Sequence, residues 1–154
     1  MKLNNMNMKF KELNIEDQDL LNSAEKALAN AHNPYSNKTR VGAAVRMKTG
    51  EIVVGSSIAT SSSSVNLCAE RIAIGTANTL GLKDVVALAI IGTDSDGVIE
   101  EPVMPCGICR QFMEEFMPTD GGDIEIICSN SAKDKIIRTS LKKLLPLPYL
   151  GSSI

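Results

Sequence analysis

Two short cysteine-containing stretches constrain this chain more than any other feature of its sequence. Cys68 begins a Cys-Ala-Glu stretch, and residues 105–109 read Pro-Cys-Gly-Ile-Cys, so that Cys106 and Cys109 are three residues apart. Each stretch is followed by a run of helical character. All three sulfurs are therefore predicted at helix N-termini, where free N–H groups and the helix dipole favour thiolate over thiol. A fold that uses these cysteines together must bring two helix N-termini to one point.

Three thiolates at one point predict a catalytic zinc site. Cys68, Cys106 and Cys109 would hold one Zn²⁺ ion per chain and leave the fourth tetrahedral position open to water. Glu70, two residues after Cys68, is the candidate catalytic residue, because a zinc-bound water also needs a proton carrier that is not a metal ligand.

Two arginines follow the cysteine motifs and are candidates for a supporting role. Three thiolates on one zinc ion work against ionisation of a bound water, so a cation that hydrogen bonds to a sulfur would help. Arg71 is the first candidate for this contact, and Arg110 is the second.

Other interpretations of the same residue types remain open. Cys106 and Cys109 have the spacing of a redox pair. Cys128 could complete a closed structural zinc site, although its place in the apolar run 124–128 favours an ordinary buried side chain. His32, the only histidine, is predicted near the end of the first helix and not as a ligand.

The two motifs resemble those of a known family of zinc enzymes. A ligand followed two residues later by Glu, with a later Pro-Cys-x-x-Cys, is the signature of zinc deaminases. Further landmarks resemble the small cytidine deaminases with three cysteine ligands, including their blasticidin-S deaminase relatives. In chain order they are Pro34-Tyr35-Ser36, Val41-Gly42-Ala43-Ala44, Cys68-Ala69-Glu70-Arg71, residues 105–111 and Leu144-Leu145-Pro146. The resemblance runs from about residue 20 to residue 149.

The resemblance implies a hydrolase that replaces the C4 amine of a cytosine nucleoside, or of a cytosine-containing analogue, with oxygen and releases ammonia. Two alternatives stay open: a blasticidin-S-type deaminase without ribose specificity, and a zinc-bound ligand-binding protein without activity. By resemblance, the N–H of Ala69 binds the ring carbonyl and the carbonyl of Met104 faces the amine. Tyr149 stands where the family has an aromatic residue that often reaches a neighbouring subunit, and a homotetramer is expected.

The predicted substrate loop departs from the family pattern. The family recognises ribose with an Asn and a Glu after the second strand, where this chain has Ser57 and Ala59. The segment 37–40 is longer than usual, lacks the usual aromatic residue and carries Lys38 and Arg40. We expect these changes to leave the zinc chemistry intact and to favour a cytosine-like ring without an ordinary ribose. The group attached to this ring would be aminosugar-like, or it would be an anionic group that Lys38 and Arg40 contact.

The hydrophobic pattern predicts elements in the order αββαβαβ(β)α, which indicates a three-layer α/β/α fold with a mixed five-stranded sheet. Residues 1–13 are expected to form a flexible arm and residues 14–154 a single deaminase domain. Helices are predicted at 15–31, 68–81, 106–117 and 140–145, with Asn14 and Ser140 as caps. Strands are predicted at 41–47, 52–58, 85–92, 124–128 and 135–138.

Composition argues against several classes of function. The net charge is −2 and no basic patch is visible, which argues against a nucleic-acid partner. No apolar stretch is long enough to cross a membrane, and residues 1–10 do not resemble a signal peptide. Free cysteines beside a metal site favour the reducing cytoplasm. The family resemblance implies that the substrate is a small aminopyrimidine molecule.

Overall fold

The computed structural model describes residues 8–35 and 39–151. These residues form four α-helices and five strands in the predicted order. The elements are α1 (Ile15–Ala27), β1 (Arg40–Met47), β2 (Ile52–Ser56), α2 (Ala69–Thr79), β3 (Val85–Thr93), α3 (Gly107–Glu114), β4 (Glu125–Ser129), β5 (Ile136–Ser140) and α4 (Leu141–Leu144). Across the described ranges, no helix combines the length and apolar character that a membrane span requires.

The strands form one mixed sheet in the order β2-β1-β3-β4-β5. β1 is antiparallel to both β2 and β3, and β5 is antiparallel to β4. β3 and β4 are parallel, and α3 provides the crossover that a parallel pair needs. β3 is central and buried along most of its length, because helices cover both of its faces. The predicted mixed five-stranded sheet is confirmed.

Helices pack on both faces of the sheet and give three layers. α1 covers one face, where its fully buried Leu21 lies in the same cluster as Ala89 of β3. α2 and α3 cover the other face, where Ile74 and Met113 pack with Leu88 of β3. Successive side chains of a strand point to opposite faces, so neighbouring residues of β3 serve the two helical layers in turn.

Two glycines allow helices to approach the sheet closely. At Gly42 on β1, a Cβ atom would lie 2.0 Å from the carbonyl oxygen of Ala24 in α1. At Gly55 on β2, it would lie 2.2 Å from the carbonyl oxygen of Ala69 and 2.4 Å from the nitrogen of Ala73. The first turns of α2 therefore rest directly on the backbone of β2.

The structure differs from the predicted boundaries mainly at element ends. α1 ends at Ala27 and continues as a short 3₁₀ turn over Leu28–Asn30, whereas β2 ends at Ser56. α3 ends at Glu114, before the predicted limit of 117. Asn14 caps α1 by accepting a hydrogen bond from the backbone of Asp17, as predicted. Ser140 stands at the start of α4 but makes no capping hydrogen bond with its side chain.

Residues 8–13 pack against the domain and do not extend from it. The backbone of Met8 exchanges two hydrogen bonds of 2.9 Å with Ile136 on β5. Leu13 is buried, and the ammonium group of Lys133 lies 4.7 Å from the ring centroid of Phe10. The expectation of a flexible arm over 1–13 therefore does not hold for residues 8–13. Residues 1–7 lie outside the described residues.

Candidate metal centre and active site

The sulfur atoms of Cys68, Cys106 and Cys109 all lie within 4.8 Å of one another, and we call these three residues the metal cluster. Cys68 is the N-cap residue of α2 and Cys106 that of α3, while Cys109 lies in the first turn of α3. Two helix N-termini thus meet at one point, and both dipoles favour negative charge on the sulfurs.

The metal cluster fits a zinc ion. Tetrahedral zinc with Zn–S bonds of about 2.3 Å places its sulfurs about 3.8 Å apart, and the Cys106 and Cys109 sulfurs are 3.5 Å apart. The pKa of Cys68 is lowered to about 5, mainly because Cys109 donates a hydrogen bond to its sulfur and further because of Arg71, against the effect of burial. The same hydrogen bond is the main reason why the pKa of Cys109 is raised. A Zn²⁺ ion in place of that shared proton would bind all three sulfurs as thiolates.

Arg71, the first candidate for a contact with a thiolate, lies close to Cys68 and Cys109. One terminal nitrogen of its guanidinium donates to the carbonyl oxygen of Asn66 at 2.9 Å. Its Nε atom is buried and has no hydrogen-bond partner among the residues that the structure describes. A buried donor normally has an acceptor, and the thiolate of a metal ligand such as Cys68 is of the right kind.

The other residues weighed as ligands or supports lie elsewhere. Arg110, the second candidate for a contact with a thiolate, donates instead to the carbonyl oxygens of Pro105 at 2.9 Å and Leu144 at 3.3 Å. Cys128 is fully buried on β4, where burial raises its pKa to about 12. His32 is exposed and pairs through its backbone with the segment after β2. Neither belongs to the metal cluster.

Glu70 is the second residue of α2 and is almost completely buried. Burial is the main cause that raises its pKa to about 7, and the negative charge of Cys68 acts in the same direction. A carboxyl group with such a pKa exchanges a proton readily near neutral pH. Glu70 is therefore not the solvated surface charge that a glutamate on a helix usually is.

A cavity of about 270 Å³ opens beside the metal cluster. Its walls bring together six of the residues singled out in the sequence, which are Ser57, Ala59, Cys68, Glu70, Met104 and Cys106. Ala69 is buried beside them as the first residue of α2. A wider groove of about 380 Å³ lies near Asn130 and Lys135, and no residue of the metal cluster lines it.

Two of the residues expected near the substrate do not line this cavity. Tyr149 is 74% exposed on the outer surface, where Gln111 holds its backbone with hydrogen bonds of 2.7 and 2.9 Å. Arg40 is exposed at the start of β1 and does not line the cavity. Lys38 lies outside the described residues.

Sequence analysis missed two asparagines in the cavity wall. Asn33 is buried and donates from its side chain to the carbonyl oxygen of Thr39 at 2.7 Å. Asn66 accepts a hydrogen bond of 2.7 Å from the backbone of Thr60. Asparagine in a loop is ordinarily assigned to turn formation, so the sequence signal does not distinguish a cavity residue from a turn residue.

Comparison with known proteins points to one family. A family model of the cytidine and deoxycytidylate deaminase zinc-binding region matches residues 14–120. The chain is 40% identical to the cytidine deaminase of Halalkalibacterium halodurans over 106 residues, which are 69% of this chain and 76% of that protein. It is 36% identical to the blasticidin-S deaminase of Bacillus cereus over 144 residues, which are 91% of this chain and 98% of that protein.

A solved structure agrees with these matches. The crystal structure of cytidine deaminase from Burkholderia pseudomallei is similar with a TM-score of 0.73 at 30% identity, and the alignment covers 85% of this chain and 97% of that one. The region matched by the family model contains the metal cluster and Glu70. The chain therefore belongs to the family of cytidine and deoxycytidylate deaminases, and it is a zinc-dependent deaminase with the α/β fold of that family.

Proposed function

We propose that this chain hydrolyses the C4 amine of a small cytosine-containing molecule and releases ammonia. One observation carries the proposal: the buried carboxyl group of Glu70 shares a cavity with Cys68 and Cys106. Hydrolytic deamination needs a zinc site with an open position and a proton carrier beside it, and this cavity offers both.

The residues of the cavity take distinct roles. Cys68, Cys106 and Cys109 hold the zinc ion, which supplies an activated water when it is bound. Glu70 accepts a proton at a carboxylate oxygen and passes it to the ring nitrogen beside the amine-bearing carbon. The same oxygen then takes a second proton from the hydroxyl group that has added to that carbon and gives it to the departing amine. The amine leaves as ammonia, and the hydroxyl oxygen becomes the ring carbonyl. A pKa of about 7 suits a group that must both accept and donate.

Backbone groups at two places hold the ring. Ala69 is the first residue of α2, so its N–H has no partner within the helix and is free to bind the ring carbonyl oxygen. Met104 lines the cavity just before the cysteines of α3, where its carbonyl oxygen accepts a hydrogen bond from the substrate amine. Arg71 hydrogen bonds to a thiolate and offsets the negative charge of the ligands.

Contacts with the group attached to the ring determine which cytosine-containing molecules the cavity accepts. Ser57 and Ala59, which stand at the positions of the family's ribose-binding residues, both line the cavity, and the side chain of Ala59 offers no acceptor for a sugar hydroxyl. We therefore favour a cytosine-like ring whose appendage is not an ordinary ribose. The blasticidin-S deaminase of Bacillus cereus matches 91% of this chain, so a substrate of that type is the second candidate beside the nucleosides.

We also propose a homotetramer that works in the cytoplasm. Tyr149, Ile108 and Leu150 are each more than 65% exposed, and Tyr149 and Ile108 line the same surface groove. Exposed apolar side chains that cluster mark an interaction surface. All four cysteines are free thiols, which suits a reducing compartment. Light scattering should give a mass close to four times the 16.5 kDa of one chain, and a monomer in solution would contradict the assembly.

The activity is tested by ammonia release from zinc-loaded protein with cytidine, deoxycytidine, their phosphates and blasticidin S. Glu70→Gln is the control, and its rate should fall by about 10²–10⁴-fold because it cannot carry a proton. Release from the nucleosides would indicate that other groups replace the family's ribose contacts. Release from blasticidin S or the phosphates alone would place specificity in the changed loops. If zinc-loaded protein released ammonia from none of these compounds, the result would contradict the proposal and favour a ligand-binding protein.

A further inference from the structure

Asn66 lines the cavity, and one hydrogen bond fixes which atoms of its side chain can donate. Its Oδ1 atom accepts a hydrogen bond of 2.7 Å from the backbone N–H of Thr60. A backbone N–H can only donate, so the carboxamide atom facing it must be the oxygen, and Nδ2 points away from it. Within residues 8–35 and 39–151, Nδ2 has no hydrogen-bond partner. Its N–H groups are available to a ligand.

Asn66 lies beside the position where the family has a ribose-binding carboxylate. That position is Ala59, and Thr60 follows it directly in the chain. Ile58 and Leu67 exchange backbone hydrogen bonds of 2.9 and 3.0 Å, which pair the two ends of this loop and place residues 59 and 66 next to each other. Both line the cavity. A carboxamide that donates thus stands beside the missing carboxylate.

Ser57 adds a second donor to the same wall. Its Oγ atom accepts a hydrogen bond of 3.0 Å from the backbone N–H of Val41, so its hydroxyl hydrogen is free to turn towards the cavity. Among the described residues that line the cavity, Glu70 is the only carboxylate, and it belongs to the end beside the metal cluster. The wall formed by Ser57, Ala59 and Asn66 therefore offers donors and no charged acceptor.

We infer that Asn66, together with Ser57, selects a substrate whose appendage presents a proton-free oxygen, such as a carboxylate, to this wall. The inference rests on the proposed function and names the class of substrate. A ribose hydroxyl held by two donors keeps its own hydrogen unpaired, whereas a carboxylate oxygen only accepts. The change from Glu to Ala at position 59 also removes a charge that would repel a carboxylate.

Binding of two synthetic cytosines that differ only in the group on N1 tests this inference. One carries a carboxymethyl group and the other a 2-hydroxyethyl group, and calorimetry is done on zinc-loaded, full-length Glu70→Gln protein, which holds both without turnover. We expect the carboxymethyl compound to bind at least about tenfold more tightly, because hydrogen bonds to a charged acceptor are the stronger ones. A carbamoylmethyl compound shows whether the charge or the carbonyl oxygen is recognised.

Asn66→Asp, made in the same protein, should reverse the preference, because a carboxylate replaces the donors while the bond from Thr60 is kept. Asn66→Ser should abolish the preference. This second variant provides the test if Asn66→Asp does not retain its zinc ion. Asn78→Asp is the matched control, since Asn78 is exposed on α2 and contacts Lys83 outside the cavity. This control should leave the preference unchanged.

Three results would overturn the inference: tighter or equal binding of the hydroxyethyl compound, binding of neither compound, or an unchanged preference in both Asn66 variants. Ammonia release by the unmodified enzyme separates this inference from the proposed function. If the carboxymethyl compound bound more tightly but no ammonia were released, the proposed activity would be contradicted. The inference about Asn66 and Ser57 would then still hold. Faster release from the hydroxyethyl compound would support the activity and refute the role of Asn66.

Discussion

Replacing Gly55 with alanine should weaken the metal cluster without changing any ligand. The new Cβ atom would lie 2.2 Å from the carbonyl oxygen of Ala69 and 2.4 Å from the nitrogen of Ala73, closer than the 3.0 Å limit below which real Cβ contacts essentially do not occur. Both atoms belong to the backbone of α2. Because no side chain can rotate out of the way, the helix itself must move away from β2.

The size of the movement follows from the contact distances. Relaxing the closest contact from 2.2 Å to an ordinary 3.4 Å requires a shift of about 1.2 Å. Cys68 and Glu70 move with α2, whereas Cys106 and Cys109 belong to α3. Ligand distances in a zinc site tolerate only about 0.2 Å, and a misplacement of about 1 Å can lower a rate by about 10²-fold. Overpacking alone costs about 1–3 kcal/mol of stability.

Gly42→Ala is the matched control, because its Cβ atom would meet the carbonyl oxygen of Ala24 at 2.0 Å on the opposite face of the sheet. Chelator competition would give the zinc affinity of each variant, and thermal unfolding its stability. We expect both variants to be destabilised and only Gly55→Ala to lose zinc affinity and ammonia release. Wild-type zinc affinity and rate in Gly55→Ala, or an equal loss of zinc affinity in Gly42→Ala, would refute the reasoning.

Two further pairs of substitutions test the core and the ligand set. Asp17→Asn should lower the free energy of unfolding by about 3–5 kcal/mol, because the fully buried carboxylate pairs with Arg46 at 3.0 Å. Asp120→Asn, in an exposed ion pair, should leave the urea midpoint unchanged, and equal midpoints for the two variants would count against this account. Cys109→Ser should lose zinc and ammonia release, whereas Cys128→Ser should keep one zinc ion per chain and lose about 1–3 kcal/mol by burying a hydroxyl group. Zinc loss in Cys128→Ser, measured by metal analysis, would show that Cys128 is a ligand.

Features encoded by neighbouring residues were predictable from sequence. The Cys68 and Cys106 helix starts and the Asn14 cap depend on residues within one turn, so the pattern locates them directly. The continuous apolar run at 85–92 predicts a strand covered on both faces, and β3 occupies the centre of the sheet. These local signals fixed the order of elements and hence the meeting of the two helix N-termini.

Features that depend on distant residues were not predictable in the same way. Arg71 and Arg110 each directly follow a motif residue, yet only the packing of α4 explains why Arg110 turns to the carbonyl oxygen of Leu144. Residues 8–13 have no pattern of their own that marks the pairing of Met8 with Ile136, since that contact joins the beginning of the chain to β5. The donor in the cavity wall was missed at Asn66 for the same reason.

The two ends of the cavity are built in different ways, and this difference explains how one chemistry can serve different substrates. The metal end is formed by helix starts that rest on the backbone of β2, so a small displacement there disturbs ligands and proton carrier together. The other end is the loop that carries Ser57, Ala59 and Asn66, and the paired backbones of Ile58 and Leu67 hold its two ends. Side chains of this loop can change without moving α2. We therefore expect substitutions in this loop to change the specificity and to leave Glu70 and the metal cluster in place.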